Sequence, residues 1–132
     1  MSKKVSFDFD STLSIDKIEE FAKELVQRGF EVWIVTTRHT TNFDGGLRDN
    51  SDLFETALRC GISFGNIHFT NGKDKWGFLK DKEFIFHIDD DWHELKTIKS
   101  NVDGTVPISS FGNPKWKHRC IKALGMKVTD FE

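Results

Sequence analysis

Five short apolar runs alternate with helix-patterned stretches along this chain, and that alternation limits the fold more than any other feature. The runs fall at residues 5–9, 31–36, 66–70, 84–88 and 105–109. Residues 17–28 place Ile18, Phe21, Ala22, Leu25 and Val26 three and four apart, the spacing of one buried helix face, with Ser14 as the expected N-cap and Gly29 as the stop. Residues 51–60 repeat the pattern with Leu53, Phe54, Ala57, Leu58 and Cys60, closed by Gly61. A short helix is expected from Lys75 through Leu79, another over 92–98, and a last one opened by Pro114 in its first turn and ended by Gly125. The run at 31–36 is apolar almost without interruption, which suits a parallel strand covered on both faces. Pro107 demotes the fifth run to a sheet edge. Strand and helix in strict alternation predict a doubly wound three-layer α/β sandwich. Its sheet is mostly parallel and five-stranded, in one domain over 1–132 with no separate cap.

Composition narrows the function classes. The chain has 132 residues, enough for a single core, and a formal net charge of -2, so no global basic field draws it to nucleic acid. Its two cysteines, Cys60 and Cys120, are far apart and form no CxxC pair; they read as small apolar packing residues in a reducing compartment. Met1 to Lys4 lead straight into the first run, with no signal-peptide core and no apolar stretch long enough to span a bilayer. A soluble, cytoplasmic protein is the expectation.

In a doubly wound sheet, ligands bind beyond the carboxyl ends of the strands, where the strand order switches direction. The polar residues just past each apolar run are therefore the candidates: Asp8 and Asp10, Thr36, Thr70, then Asp89 and Asp90, with Lys73 and Lys75 nearby. If the first strand extends through Asp10, its two-residue period aims both carboxylates to one side. Like charges that close call for a cation between them, and an all-oxygen set favours Mg²⁺. Carboxylates, a hydroxyl, a lysine and Mg²⁺ make a workable phosphoryl-transfer site, where catalysis is positioning plus neutralisation of charge. Asp8 would serve as nucleophile and Asp10 as acid and base. Thr36 would bond a phosphoryl oxygen, and Lys75 would neutralise it while holding the carboxylates together. Other residues read more plainly. Asp91 is the expected cap of the helix beginning near Trp92, and His87, in the middle of a strand, reads as packed. Trp33, Trp76, Trp92 and Trp116 read as core or helix-packing residues, and Lys80 as a solvated face.

The ordered set resembles the four motifs of the haloacid dehalogenase superfamily of phosphohydrolases. It comprises Asp8-Phe9-Asp10-Ser11-Thr12 after apolar residues, Thr36-Thr37-Arg38 at the end of the second run, a lysine before the fourth, and Asp89-Asp90 at its end. The resemblance implies Asp8 as nucleophile and Asp10 as general acid and base. It implies Mg²⁺ held by the Asp8 side chain, the Asp10 backbone carbonyl and the carboxylates of Asp89 and Asp90. It also implies substrate contacts from Thr36, Thr37, Arg38 and Lys73, and a phosphoric monoester as substrate. Lys75 is preferred to Lys73 for the lysine role because it opens the Lys-Trp-Gly-Phe-Leu helix. Members often insert a cap after the first or third strand; none fits here. The implied site is open, suited to a bulky substrate such as a nucleotide or a nucleic acid end, or to a cap lent by another subunit in an oligomer. The stretch 38–50 is the one candidate lid. Two competing classes stand beside this reading: a phospho-accepting receiver module, whose motif order differs, and a catalytically silent binding protein on the same scaffold.

Overall fold

The computed structural model describes residues 3–41 and 44–131. Five parallel strands form one sheet in the order β3-β2-β1-β4-β5: β1 (Lys4–Phe7), β2 (Glu31–Thr36), β3 (Ile67–Phe69), β4 (Phe84–Asp89) and β5 (Val106–Ser109). Helices cover both faces, giving the expected three-layer sandwich. On one face, α1 (Asp16–Gln27), α2 (Ser51–Cys60) and α5 (Trp116–Ala123) pack Phe21, Leu25, Leu53, Ala57 and Ile121 against Val5, Phe7, Ile34, Phe86 and Ile88. The other face is smaller: α3 (Trp76–Leu79) and α4 (Trp92–Asn101) bring Leu79, Ile98 and the following Val102 onto Val35 and Phe84. Pro107 sits on β5, an edge strand as its missing N–H requires. Cys60 and Cys120 are both buried and free. Among the described residues, no helix is long and apolar enough to cross a membrane.

Several local expectations are corrected. The first strand stops at Phe7. Residues Phe9–Leu13 fold into a tight turn in which Leu13 N–H donates to Asp8 O (3.1 Å) and Ser14 N–H to Phe9 O (3.0 Å), with Ser11 left-handed at φ 57°. Ser14 does not cap α1. Its hydroxyl accepts from Ser11 N–H inside that turn, and Ile15 at the cap position offers no side-chain bond. Pro114 precedes α5 instead of opening its first turn. Trp33, Trp76 and Trp116 pack on the core as expected, but Trp92, at the exposed start of α4, is 78% exposed. The tail, unassigned from sequence, makes one 3₁₀ turn at Val128–Phe131 that seats Phe131 against Phe21.

The chain runs outward from β1 through β2 to β3, then returns to the other side of β1 for β4 and β5. The reversal lies between β1 and β4, so the crevice beyond their carboxyl ends is the place for a ligand. Asp8 and Asp89 stand there.

Candidate active site at the switch point

Two adjacent central strands build the floor of the site. Asp8 directly follows β1, and its N–H donates to Ile88 O of β4 (2.8 Å), so the nucleophile candidate is tied by its backbone to the neighbouring strand. Asp89 ends β4 and is fully buried, at 0% exposure. Lys75, at the entry to α3 and 2% exposed, spans the two: its Nζ lies 2.8 Å from Asp8 Oδ1 and 2.5 Å from Asp89 Oδ2. Its backbone N–H donates to Glu94 Oε1 of α4 (2.9 Å), which fixes where α3 begins. The spacing Asp91-x-x-Glu94 is that of a capping box. Only the Asp91 half acts so, its side chain accepting from His93 and Glu94 N–H, while Glu94 reaches across to Lys75.

Asp8, Asp89 and the half-buried Asp90 can bring one carboxylate oxygen each within 4.8 Å of one another. That is a donor set of hard oxygens in a partly dry crevice, and it fits a divalent cation such as Mg²⁺. The two buried carboxylates share one ammonium. Burial pushes the Asp8 carboxyl up to about 9, against the pull of Lys75 and with the Asp89 charge adding to the rise. Burial opposes ionisation of Asp89 as well, but there the donors His87 and Lys75 outweigh it and hold that carboxyl well below the usual range. Lys75 is itself pushed up, its burial more than offset by Asp8 and Asp89.

The remaining expected residues separate. Asp10 follows Asp8 around the turn, not along a strand; its carboxylate is 58% exposed and is forked by Arg38, Nε to Oδ2 at 3.0 Å and Nη2 to Oδ1 at 2.7 Å. Arg38 also pairs with Asp52 (2.7 Å) and lies over the Phe9 ring, 4.8 Å from its centroid. Its hydrogen bonds to Asp52 and Asp10 push its guanidinium still higher, so it is always charged. Thr36 is 1% exposed and its hydroxyl accepts from Arg38 N–H (3.2 Å); it is the neighbouring Thr37 that lines the crevice. Lys73 is exposed, and Thr70 is buried with its hydroxyl donating to Lys73 O. The crevice, about 220 Å³, is lined by Asp8, Asp10, Ser11, Thr37, Lys75 and Asp89 to Asp91 with Glu94. A larger hollow of about 660 Å³ opens beyond Arg38, lined by Arg48, Asp49, Asn50, Ser51 and Asp52. Part of the 38–50 stretch closes on itself there, with Arg48 N–H donating to Thr40 O (3.0 Å) and a bridge between Thr41 and Leu47; residues 42 and 43 lie outside the described residues.

Sequence reasoning missed the roles of five side chains: Thr12, Asp52, Glu94, Ser6 and His87. Thr12 donates to Asp8 Oδ2 (3.4 Å) and pairs with Ser110 beyond β5 (3.1 Å). Asp52 anchors Arg38, and Glu94 anchors Lys75. Ser6 bonds the ring of His87, and His87 bonds Asp89, each at 2.8 Å. Only the last pair left a signal in the sequence: a hydroxyl and an imidazole interrupting two otherwise apolar runs. Compared with known proteins, the chain matches no family model, no curated protein and no solved structure.

Proposed function

We propose that the crevice is a phosphomonoesterase site of the haloacid dehalogenase type, with Asp8 as its nucleophile. One observation carries the reading: the buried ammonium of Lys75 bridges Asp8 to Asp89 at the strand-order reversal, and Asp90 can bring a third carboxylate oxygen within 4.8 Å of those two. A structural ion pair needs one acid per base. Here two carboxylates share one lysine and a third, Asp90, offers an oxygen within 4.8 Å of theirs, a formal excess of acids over bases that a divalent cation would balance.

Asp8, Asp89 and Asp90 would hold Mg²⁺, which when bound supplies charge neutralisation to the phosphoryl oxygens. Asp8 attacks phosphorus as the bond to the leaving oxygen breaks, giving an aspartyl phosphate and an alcohol that takes its proton from Asp10. Asp10 then removes a proton from water, whose oxygen attacks phosphorus and returns the Asp8 carboxylate with inorganic phosphate. Lys75 neutralises a phosphoryl oxygen, and the Thr37 hydroxyl donates to another. Both Asp10 oxygens are engaged by Arg38, so that fork has to open before Asp10 can reach a leaving group. The open crevice and the adjoining hollow favour a bulky leaving group, such as a nucleotide or a nucleic acid end.

The test is hydrolysis of an aryl phosphate, then of a panel of phosphate monoesters including phosphorylated nucleic acid ends, with and without Mg²⁺. Turnover that needs Mg²⁺ and disappears in Asp8→Asn supports the proposal; a purified, folded protein inert on the whole panel refutes it. A long-lived adduct with acetyl phosphate, without turnover, would point to a receiver module instead.

A further inference from the structure

Beneath the acid pair lies a second polar layer that the proposed reaction does not use. Ser6 and His87 sit opposite each other in the β1–β4 register, and both are fully buried, at 0% exposure. Side chains two apart on a strand share a face, so Ser6 lies below Asp8 and His87 below Asp89. The register shifts between Lys4 and Ser6: Lys4 pairs with Phe84, yet Ser6 pairs with His87. Such an extra residue re-aims the side chains that follow it.

The hydrogen bonds then fix one another. His87 Nε2 is 2.8 Å from Asp89 Oδ2, and Nδ1 is 2.8 Å from Ser6 Oγ. An ionised carboxylate only accepts, so the ring carries its proton on Nε2, and Nδ1 at 2.8 Å is a nearer acceptor for the Ser6 hydroxyl than Phe86 O at 3.4 Å. Asp89 Oδ2 thereby takes two donors, Lys75 Nζ and His87 Nε2, while among the described residues Oδ1 takes one, the Asp91 N–H at 3.0 Å. The spare lone pair of the carboxylate is left on Oδ1. An imidazole between Phe86 and Ile88 on a buried strand is costly to desolvate unless its bonds compensate, and here both nitrogens are bonded.

We infer that His87, backed by Ser6, is a positioning residue that locks the Asp89 carboxylate so that Oδ1 is presented to the cation shared with Asp8 and Asp90. The inference rests on the cation reading of the site. Calorimetric titration of the full chain with Mg²⁺, without substrate, tests it in wild type, His87→Leu, His87→Gln and Ser6→Ala. Losing a partner behind a metal ligand weakens metal affinity by about 10–100-fold. His87→Leu should show that loss, His87→Gln, which keeps an N–H donor, should recover most of it, and Ser6→Ala should fall between. Independently of any metal, ¹⁵N spectra of the wild-type ring should show the Nε2–H tautomer. His87→Leu binding Mg²⁺ within twofold of wild type, or an Nδ1–H ring, overturns the inference. Should His87→Leu not fold, Ser6→Ala decides by the same twofold criterion. Wild type that binds no Mg²⁺ at all overturns the cation reading and this inference together, whereas equal binding by wild type and His87→Leu overturns this inference alone.

Discussion

Replacing Lys75 with methionine is the most incisive perturbation this structure offers. The side chain is 2% exposed and makes two ion pairs, so Lys75→Met keeps the volume and removes the cation that bridges Asp8 and Asp89. Breaking a buried pair by deleting one partner costs about 3–5 kcal/mol. The lower end applies, because the Asp8 carboxyl already holds its proton readily when buried and does not have to remain as an uncompensated charge. At about 2.1 cal/mol/K of unfolding entropy per residue, a chain of this length loses roughly 3–4 °C of Tm per kcal/mol, so about 10 °C is expected. The assay is thermal unfolding in chelator, repeated with excess Mg²⁺. A cation in the crevice takes over part of the missing charge, so Mg²⁺ at 100 times its Kd should return about 2.7 kcal/mol. Adding Asp8→Asn to Lys75→Met should also recover stability, since one of the stranded carboxylates is gone. A Lys75→Met protein melting within about 3 °C of wild type in chelator would refute the idea that this ammonium holds the two strand ends together.

Further outcomes follow from the same geometry. In chelator, the Asp8 carboxyl, raised from an ordinary 3.8 to about 9 in the folded protein, contributes stability that is complete below about pH 4 and lost as pH rises through 9. The gap between wild type and Asp8→Asn in urea unfolding should therefore move in favour of the variant from pH 5 to pH 9, and parallel curves would contradict the assignment. If Asp10 is the proposed acid and base, Asp10→Asn should lower kcat by about 10²–10⁴-fold, whereas Arg38→Ala, which frees Asp10 and strands Asp52, should lower it much less; equal losses would mean that Arg38 itself touches substrate. Asp91→Ala removes the acceptor of two N–H groups at the start of α4 and should cost about 0.5–2 kcal/mol in denaturant unfolding, with the larger effect on Mg²⁺ affinity if the Asp89–Asp91 turn loosens.

The strands and most helices were legible because their residues obey short-range periods. Apolar runs, helical spacing, Pro107 and Gly61 each act through neighbours a few positions away, and the alternation they produce leaves few ways to wind a parallel sheet. The placement of Asp8, Asp89 and Lys75 at one edge follows from that winding. Where the reading went astray, a local alternative won. Asp10 was expected to continue the strand, but the backbone turns at Ser11, and the partner its carboxylate finds, Arg38, is 28 residues away. The roles of Glu94 and Asp52 depend on contacts across 19 and 14 residues between helix starts and loops, for which no spacing rule exists. The register shift that sets His87 opposite Ser6 joins two strands far apart in the chain, and no local period in the run of Phe, Ile and His announces it.

The strand order also has a consequence for how this molecule comes into being. β1 emerges from the ribosome first and ends at the centre of the sheet, yet one of its two flanks stays without a partner until β4 arrives; the Ser6 to His87 bond joins residues 81 apart. Because β2 follows after a single helix, a nascent β1–β2 pair can form early with its other edge bare. During that interval the chain presents a row of unsatisfied peptide groups beside Val5 and Phe7, and the carboxylates have no scaffold. Translation pauses just before residue 84 should thus be the moment of greatest dependence on chaperones, and Asp8 meets Asp89 only after the second half of the chain has been made.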